Sequence, residues 1–326
     1  MAKVSVLMAV YNAEQWLQES LDSLLRQDYA DLQILCVDDG STDSSWAILE
    51  DYAARDARVE IFRLPANGGQ AAARNYALQH ATGDYVAYLD SDDWMSEDAI
   101  GKCVGVFSSH PETDVVLWRL VLVEADGQRD YPMPPFTVKS GRDAFRESID
   151  WSIHGCYVAR RELYLRFPYD ATCRSYSDDN TTRLHYYVSR QVRCCDGIYY
   201  YRYHAESVTH QVSVRRFDHL RANESMKRQL TDIGAPASVI RQYEQTRWLV
   251  LIDLAMFYYV HGSQLSPGER RYGRSELRRI WGSIDRSLLD TGTTAKFGYR
   301  PCGRWWLFCL QEWLYFSLRA LLGRNR

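Results

Sequence analysis

The sequence predicts an α/β fold, in which a mostly parallel β-sheet is flanked by helices and followed by a helical C-terminal extension. Three observations lead to this prediction. Short apolar runs alternate with segments of helical spacing through the first hundred residues. A polar cluster follows each of the four apolar runs directly. Beyond residue 213 the apolar spacing is helical. Strand and helix alternation of this kind forms parallel sheets covered by helices.

The first strand is predicted at residues 4–10, where an apolar run leads directly to Tyr11 and Asn12. Leucines at helical spacing then predict a helix from Leu17 to Gln27. The carboxyl ends of parallel strands meet at one edge of the sheet, so ligands are expected there. The following elements of this part are predicted in the order strand 32–37, helix 44–56, strand 59–64, a helix ending near 80, and strand 85–89.

The pattern is more mixed after residue 100, where Tyr131–Lys139 is a proline-containing connection. The apolar run Trp248–Val260 has thirteen residues, which is too short to span a bilayer, so it predicts a core helix. The other predicted elements are a strand at 115–123, a helix at 142–149, a strand or strand-helix element at 157–166, a helix at 181–188 and an aromatic strand at 192–203.

Composition and charge exclude several classes of protein. The 326 residues are 46% hydrophobic and 25% charged, which indicates a globular chain and not a disordered, collagenous or solenoid one. Residues 1–102 contain 7 basic and 18 acidic side chains, a net charge of −11 that argues against a nucleic-acid channel. The eight cysteines form no CxxC pair, so we interpret them as reduced thiols in the cytosol.

The acidic cluster at residues 90–93 contains two carboxylates, Asp90 and Asp92, separated by one residue. Mg²⁺ and Mn²⁺ take oxygen ligands of this kind together with substrate phosphates. The cluster is also compatible with a solvated turn or a helix cap. Asp38 and Asp39 have two interpretations as well: acceptors for a nucleobase or ribose, or a turn at a helix N-terminus.

A third cluster, Asn67-Gly68-Gly69, opens an alanine-rich helix that contains Arg74. A helix N-terminus attracts phosphate, and a nearby guanidinium adds to that attraction. The spacing matches neither GxGxxG nor a Walker A loop. Close packing of small residues against the sheet is an alternative explanation that is compatible with phosphate binding.

Taken together, the segments at residues 4–12, 37–43, 67–75 and 83–93 resemble the family 2 glycosyltransferases of the Rossmann-like GT-A fold. The resemblance implies that Asp90 and Asp92 are the DxD motif, with Asp92 in direct contact with a Mn²⁺ or Mg²⁺ cofactor and Asp90 on the ribose or a metal-bound water. It also implies a set of residues that bind the nucleotide sugar, within which Asp38 supports the loop that carries Asp39. The set is Ala9, Tyr11, Asp38, Asp39, Asn67, Gly68 and Arg74.

The resemblance extends to the acceptor side. Asp178 and Asp179 occupy the place of an acidic pair that is commonly Glu-Asp, and Asp179 is the better match for the catalytic base. The alternative is charge complementation at a helix N-terminus. Trp151 and His154 precede the pair and are predicted to form an acceptor wall, although tryptophan packing in the core also explains Trp151. Further along, Arg202 or His204 is predicted to contact the diphosphate. A partly exposed position on an aromatic strand is the alternative explanation for His204.

The resemblance implies an inverting, metal-dependent glycosyltransferase that takes a nucleoside-diphosphate sugar, with a UDP-sugar as first choice, and a glycan or glycolipid acceptor of bacterial surface polysaccharide. Its catalytic domain would cover residues 1–213, with a nucleotide-sugar half at 1–100 and an acceptor half at 101–213. Two alternatives are a nucleotidyltransferase and a noncatalytic scaffold protein of the same fold. A nucleotidyltransferase usually carries a glycine-rich, basic phosphate loop near its N-terminus, and residues 4–11 do not contain one.

The helical region at 214–326 ends in a segment rich in Trp, Phe and Leu at residues 305–322, near Arg300, Arg304, Arg324 and Arg326. This composition favours a helix at an anionic membrane surface, which would place a cytoplasmic protein at the inner face of the membrane. Packing on the core or formation of a subunit interface in an oligomer is the alternative.

Overall fold

The structure is a computed structural model that describes residues 2–203 and 212–323. Within these ranges the chain divides into two compact units. One contains residues 2–174 and 178–203, and the other contains residues 175–177 and 212–323. The first unit is built around a ten-stranded sheet, and the second is helical.

Four parallel strands form the N-terminal half of the sheet, in the spatial order β3-β2-β1-β4. Their residues are apolar and mostly β-branched or aliphatic, and β1 and β2 are buried along almost their whole length. All four strands therefore place their carboxyl ends at one edge. The strands are β1 (Val4–Val10), β2 (Leu32–Asp38), β3 (Val59–Arg63) and β4 (Tyr85–Tyr88).

Four helices lie in the first 109 residues, and each buries apolar side chains, the last of them against two strands of the other half of the sheet. They are α1 (Leu17–Leu25), α2 (Ser45–Arg55), α3 (Gln70–His80) and α4 (Ala99–Ser109). The helix α3 packs against β1 and β2 with Ala71, Ala73 and Ala77 buried, because small side chains permit a close approach of helix and sheet.

The other half of the sheet is mixed. A short strand β5 (Trp94–Met95) and the strand β9 pair antiparallel with their neighbours, whereas β6 and β10 are long and parallel to each other. The remaining elements of this unit are β6 (Thr113–Glu124), β7 (Gly127–Asp130), β8 (Val138–Ser140), α5 (Gly141–Ser148), β9 (Tyr157–Arg160), α6 (Arg161–Arg166), α7 (Asp178–Val188) and β10 (Gln191–Arg202).

The second unit has its own core, in which Trp248 of α9 packs on Phe308 of α12. Its α-helices are α8 (Asp218–Asp232), α9 (Ala237–His261), α10 (Pro267–Ser283), α11 (Thr291–Thr294) and α12 (Trp305–Leu321), with 3-10 turns at Val214–Phe217, Gly262–Gln264 and Arg286–Leu288. Across residues 2–203 and 212–323, no helix has the length and hydropathy needed to cross a membrane.

The predicted α/β fold with a helical C-terminal region is confirmed. The four strands predicted in the first hundred residues differ from the observed β1 to β4 by one residue at most. The apolar run Trp248–Val260 lies inside the 25-residue helix α9, as part of the core. The sequence did not reveal β5, β7 and β8, because β5 and β8 have only two and three residues and β7 has no apolar run. The eight cysteines all lie within the described residues, and none of them forms a disulfide bond.

Candidate functional site

The loop after β2 is joined to the loop before α3 by the carboxylate of Asp39. This side chain is buried, and its Oδ1 and Oδ2 accept hydrogen bonds of 2.8 Å each from the backbone N–H groups of Gly68 and Gly69. Gly40 has a φ of +76°, and a Cβ there would lie 3.1 Å from the backbone nitrogen of Asn67. Glycine is therefore required where the two loops meet.

Asp38 ends β2 and lies beneath this loop. Its Oδ1 accepts a hydrogen bond of 3.1 Å from the Ser41 backbone N–H, and its Oδ2 lies 3.0 Å from Arg63 Nε. These partners hold the turn that carries Asp39. Ala9 is half-buried in β1, and Tyr11 follows that strand with 49% of its surface exposed. Tyr11 therefore offers an accessible ring at the same edge of the sheet.

Arg74 and Asp90 form an ion pair beyond the carboxyl end of β4. Arg74 is only 3% exposed, and its Nη2 donates to Asp90 Oδ1, which also accepts a 2.8 Å hydrogen bond from Gln70 Nε2. The guanidinium lies 4.2 Å from the ring centre of Tyr88 and 5.1 Å from that of Tyr169. Burial opposes the charged form of Arg74, but Asp90 and the two tyrosines raise its pKa. Arg74 therefore stays cationic.

Besides burial, two other carboxylates, Asp92 and Asp178, raise the pKa of Asp90. Burial raises it above the ordinary value, Arg74 opposes that rise, and Asp92 and Asp178 add to it. Asp178 is the first residue of α7 and belongs to the acidic pair predicted on the acceptor side. It also raises the pKa of Arg74. The fold therefore brings Asp178, the first residue of the acidic pair, within electrostatic reach of the DxD segment.

Asp93 connects the DxD segment to β10. Its Oδ2 accepts a 2.8 Å hydrogen bond from the Tyr199 hydroxyl, and its Oδ1 accepts one of 2.8 Å from the Arg202 backbone N–H. Burial, followed by the charges of Asp90 and Asp92, raises the pKa of Asp93 well above its ordinary value, and the two hydrogen bonds oppose the rise. Asp93, whose role the sequence left open, thus holds the turn.

The Arg202 guanidinium lies between two tryptophan rings, 4.2 Å from the ring centre of Trp16 and 4.4 Å from that of Trp94. Its Nε donates a 2.9 Å hydrogen bond to the backbone carbonyl of Asp92, and its Nη2 pairs with Glu19. Arg202 thus fixes the backbone of Asp92. Its predicted contact with a diphosphate stays a prediction.

Asp178 and Asp179 are the first two residues of α7. The Asp179 carboxylate is partly buried and lies 3.9 Å from Nη2 of Arg183, one turn later. Burial raises the pKa of Asp179 to about 7, while Arg183 opposes the rise and Asp178 adds to it. A carboxyl group with a pKa near 7 can accept a proton at neutral pH with useful driving force.

Trp151 has a φ of +60°, and its ring centre lies 5.2 Å from the Arg183 guanidinium, on the side of α7 that carries Asp179. His154 is only 3% exposed, and burial lowers its pKa to about 3. His154 is therefore a neutral core residue with little surface to offer an acceptor. His204 lies outside the described residues.

The family model for Glycosyl transferase family 2 matches residues 5–167, which is half of the chain. The chain belongs to this family. The match includes the loops after β1, β2 and β4, which carry the nucleotide-side residues described above. It ends before α7, so the acidic pair Asp178 and Asp179 lies beyond the matched segment.

Two curated relatives of this family 2 member come from Bacillus. EpsJ of Bacillus subtilis, described as an uncharacterized glycosyltransferase, is 32% identical over 219 residues, or 63% of this chain and 62% of EpsJ. A poly(ribitol-phosphate) beta-glucosyltransferase of Bacillus spizizenii is 38% identical over 128 residues, or 38% of this chain and 20% of that protein. The chain thus spans less than two thirds of either relative.

Among solved structures, residues 1–349 of S. aureus TarS in complex with UDP-GlcNAc match with a TM-score of 0.75. The identity is 18%, and the match covers 99% of this chain and 92% of that one. At this identity the similarity establishes a shared GT-A fold.

The DxD segment of this family 2 member can be tested for its fit to a divalent cation. Within residues 2–203 and 212–323, no three Asp, Glu, His or Cys side chains converge as a metal site. Mg²⁺ sites in nucleotide enzymes commonly use one or two carboxylates and complete their coordination with phosphate oxygens. Asp90 accepts from Arg74 and Gln70, and Asp92 remains the candidate ligand that the DxD motif predicts. The residues fit a cation that binds together with a diphosphate.

Three residues of the site were missed by sequence analysis: Gln70, Arg183 and Tyr199. Gln70 directly follows the Asn67-Gly68-Gly69 cluster, and Arg183 lies four residues after Asp179, so both were recognisable from spacing. Tyr199 carries no such signal, because it is one of several tyrosines in β10 and its bond to Asp93 joins residues far apart in sequence.

Proposed function

We propose that this family 2 protein transfers a sugar from a nucleoside-diphosphate sugar, with a UDP-sugar as first choice, to a hydroxyl group of a glycan or lipid-linked glycan. The transfer inverts the anomeric carbon, requires Mn²⁺ or Mg²⁺, and serves surface polysaccharide synthesis on the cytoplasmic side of the membrane. The UDP-GlcNAc complex of TarS supports the donor class. The name of the Bacillus spizizenii relative supports a polymer of the cell surface as acceptor.

One observation carries this proposal: Asp178, which precedes Asp179 at the start of α7, acts electrostatically on Asp90 and Arg74. A sugar transferase needs donor-side groups and an acceptor-side base at opposite ends of one small space. Asp90 and Arg74 belong to the motifs assigned to the donor side, and Asp178 and Asp179 belong to the motif assigned to the acceptor side. Their proximity is what a single displacement at the anomeric carbon requires.

On the donor side, Tyr11 and Ala9 would contact the base and Asp39 the ribose or base. Asp39 already accepts two backbone hydrogen bonds, yet a carboxylate has about four lone-pair sites, so capacity remains for a ligand. The helix α3 begins directly after the Asn67-Gly68-Gly69 loop, and the diphosphate would lie at this helix N-terminus.

Asp92, with Asp90 beside it, would hold the divalent cation against the diphosphate. When bound, the cation neutralises the charge that develops on the departing nucleoside diphosphate. Arg202 fixes the Asp92 backbone from the side of β10, and Asp93 holds the turn between them. These contacts position the carboxylate before the donor binds.

On the acceptor side, the Asp179 carboxylate accepts the proton of the attacking hydroxyl. The hydroxyl oxygen forms the new bond to the anomeric carbon as the bond to the diphosphate oxygen breaks, and the electron pair leaves with the nucleoside diphosphate. Attack opposite the leaving group inverts the configuration. Trp151 would form part of the acceptor wall beside Asp179, whereas the burial of His154 argues against its use.

A donor screen tests the proposal. The protein is incubated with UDP-, GDP- and dTDP-sugars, with Mn²⁺, Mg²⁺ or EDTA, and with or without a phosphate-containing glycan polymer, and nucleotide release is measured. Release of nucleoside diphosphate that needs both cation and acceptor supports the proposal. Release of pyrophosphate from a nucleoside triphosphate would instead identify a nucleotidyltransferase, and binding without turnover would identify a noncatalytic protein.

We further propose a peripheral membrane contact through α12, whose two faces differ sharply. Phe308 and Phe316 are each 1% exposed and belong to the core of the helical unit, whereas Trp306 and Leu314 lie exposed on the helix surface. Exposed tryptophan and leucine side chains favour the interface of a bilayer. The predicted flanking residues Arg324 and Arg326 lie outside the described residues.

Because α12 contributes core residues, deleting residues 305–326 would damage the helical unit itself. The double variant Trp306→Ser/Leu314→Ser removes exposed apolar surface and leaves Phe308 and Phe316 in place. It should reduce flotation with anionic vesicles, and added salt should reduce flotation of the wild type. Equal flotation of both proteins, or none of either, would contradict the membrane contact.

A further inference from the structure

A cavity of about 390 Å³ lies within the helical unit, between α9, α10 and α12. Its wall is mainly aromatic and aliphatic, with Tyr258, Leu277, Phe308 and Phe316 among the lining side chains. Trp313 also lines it and is 56% exposed, so this ring stands at the mouth. A volume of this size, with apolar walls, is in the range of small-ligand pockets.

One polar group inside the cavity lacks a partner. Glu312 is 4% exposed and lines the wall. Its Oε1 accepts a 3.0 Å hydrogen bond from Gln311 Nε2, but among the described residues its Oε2 has no hydrogen-bond partner. Burial raises the pKa of Glu312 to about 7, so a protonated Oε2 can donate a hydrogen bond to a ligand. A buried polar atom left without a partner destabilises the fold, and a bound ligand would remove that penalty.

Two arginines, Arg270 and Arg274, contribute to the same cavity from successive turns of α10. Both are exposed, and in the part of the chain that the structure describes neither forms an ion pair. Arg279 of the same helix, by contrast, is paired with Glu224 and Glu276. The cavity therefore combines an apolar interior, a buried hydrogen-bonding acid and two cationic groups at its rim.

We propose that this cavity binds an amphiphile with a single apolar chain and a phosphate head group. The chain lies among the aromatic side chains, and the phosphate meets Arg270 and Arg274 at the rim and accepts a hydrogen bond from Glu312. Guanidinium groups bind phosphate well because their donors match its oxygens. A cationic amphiphile would be repelled by the arginines, so the charge at the rim selects the anion. This site is separate from the proposed transfer chemistry, which rests on the sheet unit.

The test uses dodecyl phosphate below its critical micelle concentration, with isothermal titration calorimetry on the full chain. The wild type should bind one molecule per chain. Losing the two rim charges in Arg270→Gln/Arg274→Gln should weaken binding about tenfold or more, as expected when charge-assisted hydrogen bonds are lost. The matched control is Arg271→Gln on the same helix, outside the cavity wall, which should bind within about twofold of wild type.

A second pair of variants separates the cavity from the surface of α12. Trp313→Ala should weaken binding of dodecyl phosphate about tenfold, whereas Trp306→Ala, an equally exposed tryptophan outside the wall, should change it less than about twofold. Glu312→Gln keeps a hydrogen-bond donor and should retain binding, and Glu312→Leu should weaken it. Inorganic phosphate and dodecyltrimethylammonium, the head group alone and the same chain with opposite charge, should bind far more weakly.

Three results would overturn the site. The first is equal binding of dodecyl phosphate by Arg270→Gln/Arg274→Gln and by the control Arg271→Gln. The second is an equal loss of binding in Trp313→Ala and Trp306→Ala. The third is binding of inorganic phosphate as tight as that of dodecyl phosphate. Because these substitutions lie in the helical unit, UDP binding in the same samples should remain unchanged. A failed amphiphile titration with intact UDP binding therefore rejects the cavity site alone and leaves the proposed transferase function standing.

Discussion

Two aspartate–arginine pairs of the sheet unit, Arg74–Asp90 and Arg183–Asp179, are similarly buried but differ in the distance between their charged groups. On the donor side, Arg74 is in hydrogen-bond contact with Asp90, is 3% exposed and is enclosed by two tyrosine rings. At the start of α7, Asp179 lies 3.9 Å from Arg183 and keeps a pKa of about 7. The first pair is tight and the second is loose.

This difference teaches how one fold can use the same two residue types for two purposes. A close, buried guanidinium fixes a carboxylate in place and neutralises its charge, which suits a group that organises a nucleotide site. A more distant guanidinium only moderates the effect of burial, so the carboxyl group keeps a pKa from which it can accept a proton. The predictions that follow test that contrast, beginning with the largest expected effect.

The strongest test concerns Asp179. Asp179→Asn should lower the rate of sugar transfer by about 10²–10⁴, since this is the usual contribution of a general base. Affinity for the donor should remain near that of the wild type. The matched control Asp178→Asn should lower the rate less. If Asp178→Asn is the more damaging change in single-turnover assays, the base has been assigned to the wrong carboxylate.

The tight pair should matter for stability. Arg74→Gln leaves Asp90 without its cation and should lower the free energy of unfolding by about 3–5 kcal/mol, as measured by urea denaturation. Arg183→Gln should cost less, because its ion pair is longer. A double-mutant cycle with Asp90→Asn measures the Arg74–Asp90 coupling directly. A cost for Arg183→Gln as large as that for Arg74→Gln would remove the contrast between the pairs.

Substitutions of Asp92 and Asp90 should have different effects, the first on metal binding and the second also on the stability of the fold. Asp92→Asn is nearly isosteric and should abolish most of the Mn²⁺-dependent part of UDP affinity, without a change in unfolding midpoint. Asp90→Asn should affect stability as well, because Asp90 accepts from both Arg74 and Gln70. Calorimetry of UDP with Mn²⁺ or EDTA provides the measurement. Undiminished metal-dependent affinity in Asp92→Asn would reject Asp92 as the ligand.

The smallest effect is a shift in pH dependence. A base must be ionised to act, so kcat/KM should rise as pH increases through about 7. Arg183 opposes the raised pKa of Asp179, so Arg183→Gln should move this rise to higher pH by about one unit, and Arg183→Lys should move it less. An unchanged profile in Arg183→Gln would show that the pair does not set the pKa of the base.

The same raised pKa has a consequence for stability. Between the ordinary value of 3.8 and about 7, the folded protein holds a proton on Asp179 that the unfolded chain has released. The contribution of this group to the free energy of unfolding therefore falls as pH rises across that range, and Asp179→Asn should remove this part of the pH dependence.

The amino-acid sequence determined the parallel half of the sheet and the residues at its edge. Hydrophobic periodicity over β1 to β4, and the polar clusters after them, are local signals, and parallel pairing gathers the carboxyl ends of strands at one edge. The sequence also identified Asp178 and Asp179 as an acidic pair and residues 305–321 as an apolar helix.

Only the tertiary structure decided what each of these side chains does. Asp93 binds Tyr199, more than one hundred residues away, and His154 became a neutral core residue through burial that no local pattern records. In α12, folding placed Phe308 and Phe316 in a core and left Trp306 and Trp313 outside. Hydrogen bonding, burial and pKa depend on neighbours that are distant in sequence, so their outcome exists only once the chain has packed.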